Sequence, residues 1–243
     1  MTHPIVKAVS NMVYEGDIDS AERALALVAD SEGDFALSKV IEEMPARDVV
    51  AILREHDASK ASIVGHLISP QQFLAAVTLE KDYGERNSVG QRTHDSLRGM
   101  VNGVVFADEE RIDTFVEALG STDGGMSALA DYFSDRHEEL EFFFRNGTFS
   151  EVEGEHAIEE IPASNVDLSE GHPDPQVLRG IVSLREVQDH DWRELAWRLR
   201  CEHYEIFRDL MEILRSRHHK AMAAPPPPPA EGVAPDDDED DVL

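Results

Sequence analysis

The chain has 243 residues, 41% hydrophobic and 30% charged, which is the composition of a globular protein long enough to bury a core. Its 50 acidic and 22 basic side chains give a formal net charge of −28, and such a surface repels nucleic-acid phosphates and anionic lipid headgroups. The single cysteine, Cys201, excludes an intramolecular disulfide and a zinc site built from several cysteines.

The N-terminal residues lack the basic stretch and long apolar core of a signal peptide. The densest apolar run, at 73–77, is too short to cross a bilayer. We therefore expect a cytoplasmic protein that inserts into no membrane and binds no nucleic acid. The acidity has two interpretations, solubility in a salty cell interior or attraction to a basic partner. Divalent cations are expected to bind weakly and without specificity.

Helical periodicity recurs through residues 1–147, which we predict to form a repeat-like helical domain. Ser69 begins the clearest helix start, because it can cap, Pro70 suits the first helical position and Gln72 completes a capping box. Residues 83–90, with two glycines, predict a loop. The apolar stripes of the first three predicted helices are Ile18, Ala21, Leu25 and Val28, then Leu37, Val40, Ile41 and Met44, then Val49, Ile52 and Leu53.

Further along, Asp108 can cap a helix that Gly120 ends. A longer helix is predicted from Met126 to Arg145, and His137 interrupts its apolar stripe. We interpret His137 as a core-edge residue whose ring nitrogens bond backbone or carboxylate groups. A pH switch is the alternative interpretation.

Pro45 and Pro70 are 25 residues apart, and at that offset several apolar and acidic positions coincide. A period in the twenties is typical of stacked helix–turn–helix units, and chance similarity between two amphipathic helices is the alternative. Residues 44–53 and 69–74 resemble the helical repeats of the N-terminal cytosolic domain of MgtE-type magnesium transporters, which run Leu-Pro-Pro-Glu-Asp before an apolar helix. Together with residues 137–147, they also resemble an uncharacterised bacterial family of helical proteins of unknown function.

The resemblance covers roughly residues 15–150 and implies a stacked-helix architecture. In the MgtE-type transporter, the domain senses magnesium through acidic faces shared with a second regulatory domain and a membrane pore. This sequence contains neither of those partners, so the resemblance carries over no binding residue. It does imply an alternative function, that of a divalent-cation-responsive regulatory domain.

Residues 148–175 are rich in Gly, Pro and acids and predict an irregular acidic connection. The helical pattern returns in 176–222 as a C-terminal helical segment. Residues 223–243, a proline run followed by an aspartate-rich run, predict a disordered tail. The fold expected is all-α: stacked helical hairpins in a repeat-like right-handed array or bundle, with a long C-terminal helix and the disordered tail.

The long C-terminal helix, from about Leu184 to His219, carries two apolar stripes. Two stripes indicate a helix packed on more than one side, either on the N-terminal helices or on a protein partner or second copy of the chain. Aromatic residues are favoured interface anchors. The possible interface residues are Trp192, Trp197, Tyr204, Phe207 and Met211.

The sequence contains no phosphate-binding glycine loop, Gly-x-Ser-x-Gly elbow or His-Glu-x-x-His pair. His190 and Glu194 are one helical turn apart and could share a metal, although solvated carboxylates often mimic ligand spacing. Further candidate ligands nearby are Glu202, His203, Glu205 and Asp209. We assign no catalytic, cofactor-binding or metal residue and expect no cofactor. The interpretation we favour is a non-catalytic protein-interaction or scaffold protein. Besides the MgtE-like regulator, a helical carboxylate/His metal-binding protein or enzyme is a third possibility.

Overall fold

The computed structural model describes residues 2–56, 62–87, 90–149 and 181–223. Side-chain positions are described in all of these ranges except at 83–87 and 90–93. Most of the described residues are helical. These ranges contain thirteen α-helices, one 3₁₀ turn (Glu109–Arg111) and no strand, so the predicted all-α class is confirmed. In chain order the helices are α1 (Pro4–Glu15), α2 (Ile18–Glu32), α3 (Asp34–Glu43), α4 (Ala46–Glu55), α5 (Ile63–Leu67), α6 (Pro70–Asn87), α7 (Gly90–Val105), α8 (Ile112–Gly120), α9 (Asp123–Tyr132), α10 (His137–Asn146), α11 (Leu184–Val187), α12 (Trp192–Cys201) and α13 (Tyr204–Ala223).

Capping residues set several helix ends. Asp17 accepts a hydrogen bond from the backbone N–H of Ser20 (3.1 Å), and Thr122 accepts one from that of Gly125 (3.1 Å). Each bond satisfies an N–H that has no intrahelical partner. Gly147 ends α10 in the left-handed conformation (φ 74°), which a residue with a β-carbon adopts at a cost.

The predicted start of α6 at Pro70 is confirmed, although its cap differs from a standard box. Ser69 Oγ accepts from the backbone N–H of Gln72 (3.3 Å), as expected. The side-chain oxygen of Gln72 accepts from the Ser69 hydroxyl (3.2 Å) instead of from backbone, and its amide NH₂ donates to the Ile41 carbonyl in α3. The start signal of α6 therefore also joins it to an earlier helix.

Two predicted boundaries are wrong. The backbone stays helical through Asn87, so most of the loop predicted at 83–90 belongs to α6. The single helix predicted from Met126 to Arg145 is divided into α9 and α10. Tyr132 and Phe133 are both fully buried at that bend, with their rings edge to face at 4.7 Å. Since adjacent residues of a straight helix point about 100° apart, burying both rings favours a bend.

The prediction of one long helix from about 184 to 219 is also wrong, because the chain forms three separate helices there, α11, α12 and α13. His190 adopts a positive φ of 51°, and Asp191 then caps α12 by accepting from the N–H of Arg193 (2.8 Å). At the other end, the N–H groups of Glu202 and His203 both bond back to α12 carbonyls, which closes that helix before α13 begins.

One buried core runs through the array. α6 packs against α4, α7, α8 and α9, while α13 packs against α9, α10 and α12. Leu199 of α12 and Phe207 of α13 belong to the same hydrophobic cluster as Leu25 of α2 and Phe115 of α8. Most of the predicted connection 148–175 and of the tail 223–243 lies outside the described ranges, so the division into domains stays a prediction.

No helix within the described ranges combines the length and the apolarity that crossing a membrane requires.

Candidate functional site

A cavity of about 1060 Å³ opens beside α7, between that helix, α4 and α5. Ligand pockets typically measure about 300–1,000 Å³, so this cavity has room for a small molecule or for part of a polypeptide. We name it the α7 groove. Its lining residues are Leu53, Arg54, His56, Ser62, Ile63, His66, Asp95, Ser96, Gly99, Met100, Asn102, Gly103, Phe106, Ala107 and His190.

Two glycines of α7 line the groove. Gly99 and Gly103 are four residues apart and therefore lie on the same side of the helix. A β-carbon added at either position would have no neighbouring atom within 4 Å. On the side of α5 the packing is close, since a β-carbon at Gly65 would lie 3.0 Å from the Gly103 carbonyl oxygen. Within the described part of the chain, helix backbone thus lines the groove and no side chain fills the space at these two positions.

The charged groups along the α4 side of the groove already have partners. His56 Nδ1 lies 2.6 Å from Glu22 Oε1 of α2. Arg54 binds Glu80 of α6, a carboxylate that is only 1% exposed. Breaking a buried pair of this kind leaves an uncompensated charge, so these groups are held in place as structure.

The α7 side of the groove offers polar groups of another kind. Asn102 accepts a hydrogen bond from the Tyr132 hydroxyl through its side-chain oxygen (2.6 Å). Burial raises the pKa of Tyr132, because its phenolate would be desolvated, so this hydroxyl remains a neutral donor. Ser96 Oγ is buried and has no hydrogen-bond partner among the described residues.

His190 lies at the rim of the groove, and its ring stacks on Phe106 at a centroid distance of 5.4 Å. Its backbone N–H donates to Glu194 Oε2 (3.0 Å), while the other oxygen of this fully buried carboxylate binds Arg198 (3.0 and 3.1 Å). The structure thus brings His190 and Glu194 together through the backbone, with the imidazole turned to Phe106. The two residues do not form the metal pair considered from the sequence.

Glu202 and His203 instead meet a residue that the sequence did not single out. His203 Nε2 lies 3.0 Å from Oδ1 of Asp113 in the first turn of α8. One ligand atom from each of Asp113, Glu202 and His203 lies within 4.8 Å of the other two. Asp113 is 90 positions from His203 and carries no local signal of a site, so only the fold could reveal it. Asp209 pairs with Arg208.

The predicted interface residues lie on α12 and α13, where the structure buries two of them completely. Phe207 and Met211 are 0% exposed, as expected if the helices pack on the N-terminal core. Trp192 meets Phe149 edge to face at 5.3 Å. Trp197 Nε1–H donates to the Val182 carbonyl (2.6 Å). Trp192 and Trp197 keep some exposure, so association through them stays a prediction.

The remaining member of this set, Tyr204, is also partly exposed, and its hydroxyl is buried without a hydrogen-bond partner in the described ranges. Nearby, the buried Arg200 donates to the Phe144 carbonyl (3.1 Å) and lies over the Phe143 ring at 4.9 Å. Its side chain therefore holds the end of α12 against α10.

His137 lacks the partners expected from the sequence. Both its ring nitrogens are buried and have no hydrogen-bond partner within the described ranges. The ring instead lies parallel to that of His218 of α13, with centroids 4.6 Å apart. Burial, followed by the charge of His218, holds the pKa of His137 below its ordinary value of 6.5. The prediction of backbone or carboxylate partners is therefore wrong, because the stack against α13 takes their place.

Exposed apolar side chains also occur outside the groove. The large ones are Tyr14, Leu27, Phe35 and Met222. The first three come from the first three helices of the array, and single exposed apolar residues are common on soluble proteins.

Comparisons with protein-family models, curated proteins and solved structures found no match to this chain.

Proposed function

We propose that this chain is a non-catalytic, all-α interaction protein and that the α7 groove receives a segment of its partner. The observation that carries the proposal is the pair Gly99 and Gly103, whose β-carbon positions face empty space. Glycine inside a helix costs about 1 kcal/mol relative to alanine. No contact within the described part of the chain offsets that cost at these positions, and a partner that approaches the bare backbone would.

The surroundings of the two glycines support this use. Leu53, Ile63, Met100 and Phe106 supply apolar surface along the groove. Ser62 and Asn102 add polar side chains to the lining. Apolar walls with a few polar groups are the usual lining of a binding site.

One ion pair beside the groove supports the fold. Arg54 is paired with Glu80, which is only 1% exposed. Breaking that pair would leave a buried charge uncompensated, which favours a structural role for both groups.

Filling the groove tests the proposal. In the double variant Gly99→Leu, Gly103→Leu, two isobutyl groups would occupy the space beside α7. A photo-crosslinking amino acid at Asp95, an exposed residue of the groove lining, reports whether a partner contacts that helix in the native host. We expect one dominant crosslinked protein with the otherwise unchanged chain and its loss in the double variant.

The control is Ala221→Leu, which introduces a leucine side chain at an exposed position of α13. This control should retain the crosslinked protein, and both variants should melt at or above the temperature of the unchanged chain. Crosslinking that survives the double variant, or the absence of any crosslinked protein, would contradict the proposal.

The other functions stay predictions. Saturable binding of magnesium at one or two ions per chain would favour the MgtE-like, cation-responsive function over the interaction protein. Association through Trp197 and Tyr204 remains possible beside the groove, because both side chains keep some exposure. Cytoplasmic location and the absence of nucleic-acid binding likewise remain expectations from charge and composition.

A further inference from the structure

We infer that Asp113, Glu202 and His203 form a binding site for one zinc ion or a similar first-row divalent metal. The three side chains come from two places in the chain: the first turn of α8 and the short break between α12 and α13. The site is separate from the α7 groove, whose lining includes none of these residues.

The spacing of the donor atoms is close to what a metal requires. Zinc binds imidazole nitrogen and carboxylate oxygen at about 2.0–2.2 Å, so two donors at a tetrahedral angle lie about 3.4 Å apart. His203 Nε2 and Asp113 Oδ1 are 3.0 Å apart, and the Glu202 oxygen lies within 4.8 Å of both. A rotation of the exposed Glu202 side chain would close the remaining distance.

The backbone on either side of the break holds the donors in position. The N–H groups of Glu202 and His203 bond to carbonyls of α12, and the His203 carbonyl accepts the N–H of Phe207 in α13. Phe207 and the preceding Leu199 are fully buried, so the core holds the chain on both sides of the break. Only 11% of the His203 side chain is exposed.

Glu202 is the carboxylate that can turn toward a metal. Its only described partner is Arg198, at the long distance of 3.4 Å. Arg198 already binds Glu194 through two shorter bonds of 3.0 and 3.1 Å. A metal would therefore compete with the weaker interaction of Arg198 and leave the buried pair intact.

The donor set decides which metal fits. Magnesium and calcium prefer shells made of oxygen alone, whereas imidazole suits zinc and its first-row neighbours. Two carboxylates and one neutral imidazole neutralise a divalent cation. Cys201 is adjacent in sequence, but it is not among the three residues whose ligand atoms cluster here.

Three protein ligands leave at least one coordination position to water. With the Asp113 side chain 62% exposed, water can reach that position. The bound ion would join α8 to the corner between α12 and α13. Since it binds the folded state, it would also raise the stability of the fold.

Zinc titration of the full chain tests the inference. The protein, purified without a histidine tag and stripped with a chelator, is titrated with Zn²⁺ by calorimetry in excess Mg²⁺, which occupies non-specific acidic surface. We expect one Zn²⁺ per chain. Asp113→Asn and His203→Ala should each weaken binding at least about tenfold, since losing a metal's outer-shell partner alone costs about 10- to 100-fold.

Two control variants remove similar groups elsewhere. Asp123→Asn changes an exposed acid in the first turn of α9, as Asp113 is an exposed acid in the first turn of α8. His219→Ala removes an exposed imidazole of α13. Both should bind zinc like the unchanged chain. If the controls lose as much affinity as the site variants, or if several weak ions bind instead of one, the site does not exist.

Co²⁺ in place of Zn²⁺ adds a spectroscopic test that does not depend on the His203 variant folding. Its visible absorption bands should appear at one equivalent and be lost in Asp113→Asn, which alters a largely exposed side chain. Unchanged bands in that variant would place the metal elsewhere and overturn the inference.

Discussion

Two pairs of helical glycines show how differently the two sides of this molecule are packed. At Gly99 and Gly103 of α7, a β-carbon would have no atom of the described residues within 4 Å. At Gly120, at the end of α8, it would overlap the Ile206 side chain of α13, and at Gly125 of α9 it would overlap the Leu119 backbone. What differs is whether another part of the same chain uses the space.

The packed side near α13 contains an aromatic cluster that includes the closest pair of rings among the described residues. Phe143 meets Phe207 at 6.2 Å and stacks on Phe149 at 4.1 Å, and Phe149 in turn meets Trp192. The open side near α7 contains the groove. We propose that binding uses the groove beside α7, and we expect the buried aromatic contacts near α13 to contribute to stability. The predictions below test the contrast, from the largest effect to the smallest.

Phe207→Ala should have the largest effect. The ring is 0% exposed, and removing a buried phenylalanine typically costs about 3–5 kcal/mol because the cavity left behind collapses only in part. The free energy of unfolding, measured by urea denaturation, should fall by that amount. Light scattering on the same samples should show an unchanged oligomeric state. A weakened assembly with nearly normal stability would instead make Phe207 an interface residue.

Gly125→Ala should destabilise the protein by about 1–3 kcal/mol, the usual range for overpacking. The new β-carbon would occupy the position of the Leu119 carbonyl, and a backbone atom cannot rotate away as a side chain can. Urea denaturation again measures the change. Gly120→Ala is a useful companion, because there the clash is with Ile206 atoms that can rotate, and its cost should be smaller.

Gly99→Ala and Gly103→Ala should have the opposite sign. Each adds a methyl group into open space and removes the conformational entropy of a helical glycine, so each should stabilise the fold by about 0.5–1 kcal/mol. Thermal and urea denaturation of the double variant should show nearly additive gains. A loss of stability would mean that the groove is filled in solution and that the contrast between the two sides is wrong.

The smallest effect concerns pH and the His137–His218 stack. A pKa held below 6.5 in the folded state means that the unfolded chain binds a proton first, so stability should fall as pH drops from above 6.5 toward the folded value. His137→Phe keeps a stacked ring and removes the titration. Its melting temperature should therefore fall less than that of the unchanged chain between pH 7.5 and pH 5.5.

The other charges facing His137 are Glu138 and Glu141 of α10 and Arg215 of α13. They remain in the variant, so the difference between the two pH profiles isolates the imidazole. Parallel profiles would show that the stack does not titrate in this range.

The sequence predicted helices best where a local pattern is sufficient. Ala21, Leu25 and Val28 are buried on one side of α2, as their spacing indicated. The capping signal of Ser69 also gave the start of α6 at Pro70. Each of these features depends on residues within one or two helical turns, so residues that are close in the sequence are enough to predict it.

The errors occurred where a distant contact overrides the local pattern. The breaks between α9 and α10 and between α12 and α13 interrupt continuous apolar stripes. Periodicity alone favours one long helix in each case. Both breaks redirect large side chains, such as Phe133 and Phe207, into one shared core. That gain depends on helices far away in the sequence, which a pattern over a few turns does not contain.

The candidate sites divide in the same way. Residue types and charge indicated an acidic helical protein and drew attention to Glu202 and His203, because those properties belong to single residues and their neighbours. Only the tertiary structure places Asp113 next to His203, which is 90 positions away in the sequence. Only the tertiary structure leaves space beside Gly99 and Gly103 among the described residues. It also paired His56 and Arg54 with carboxylates of other helices. Metal coordination, groove shape and ion pairing act through distances in space, and only the packing of the helices sets those distances.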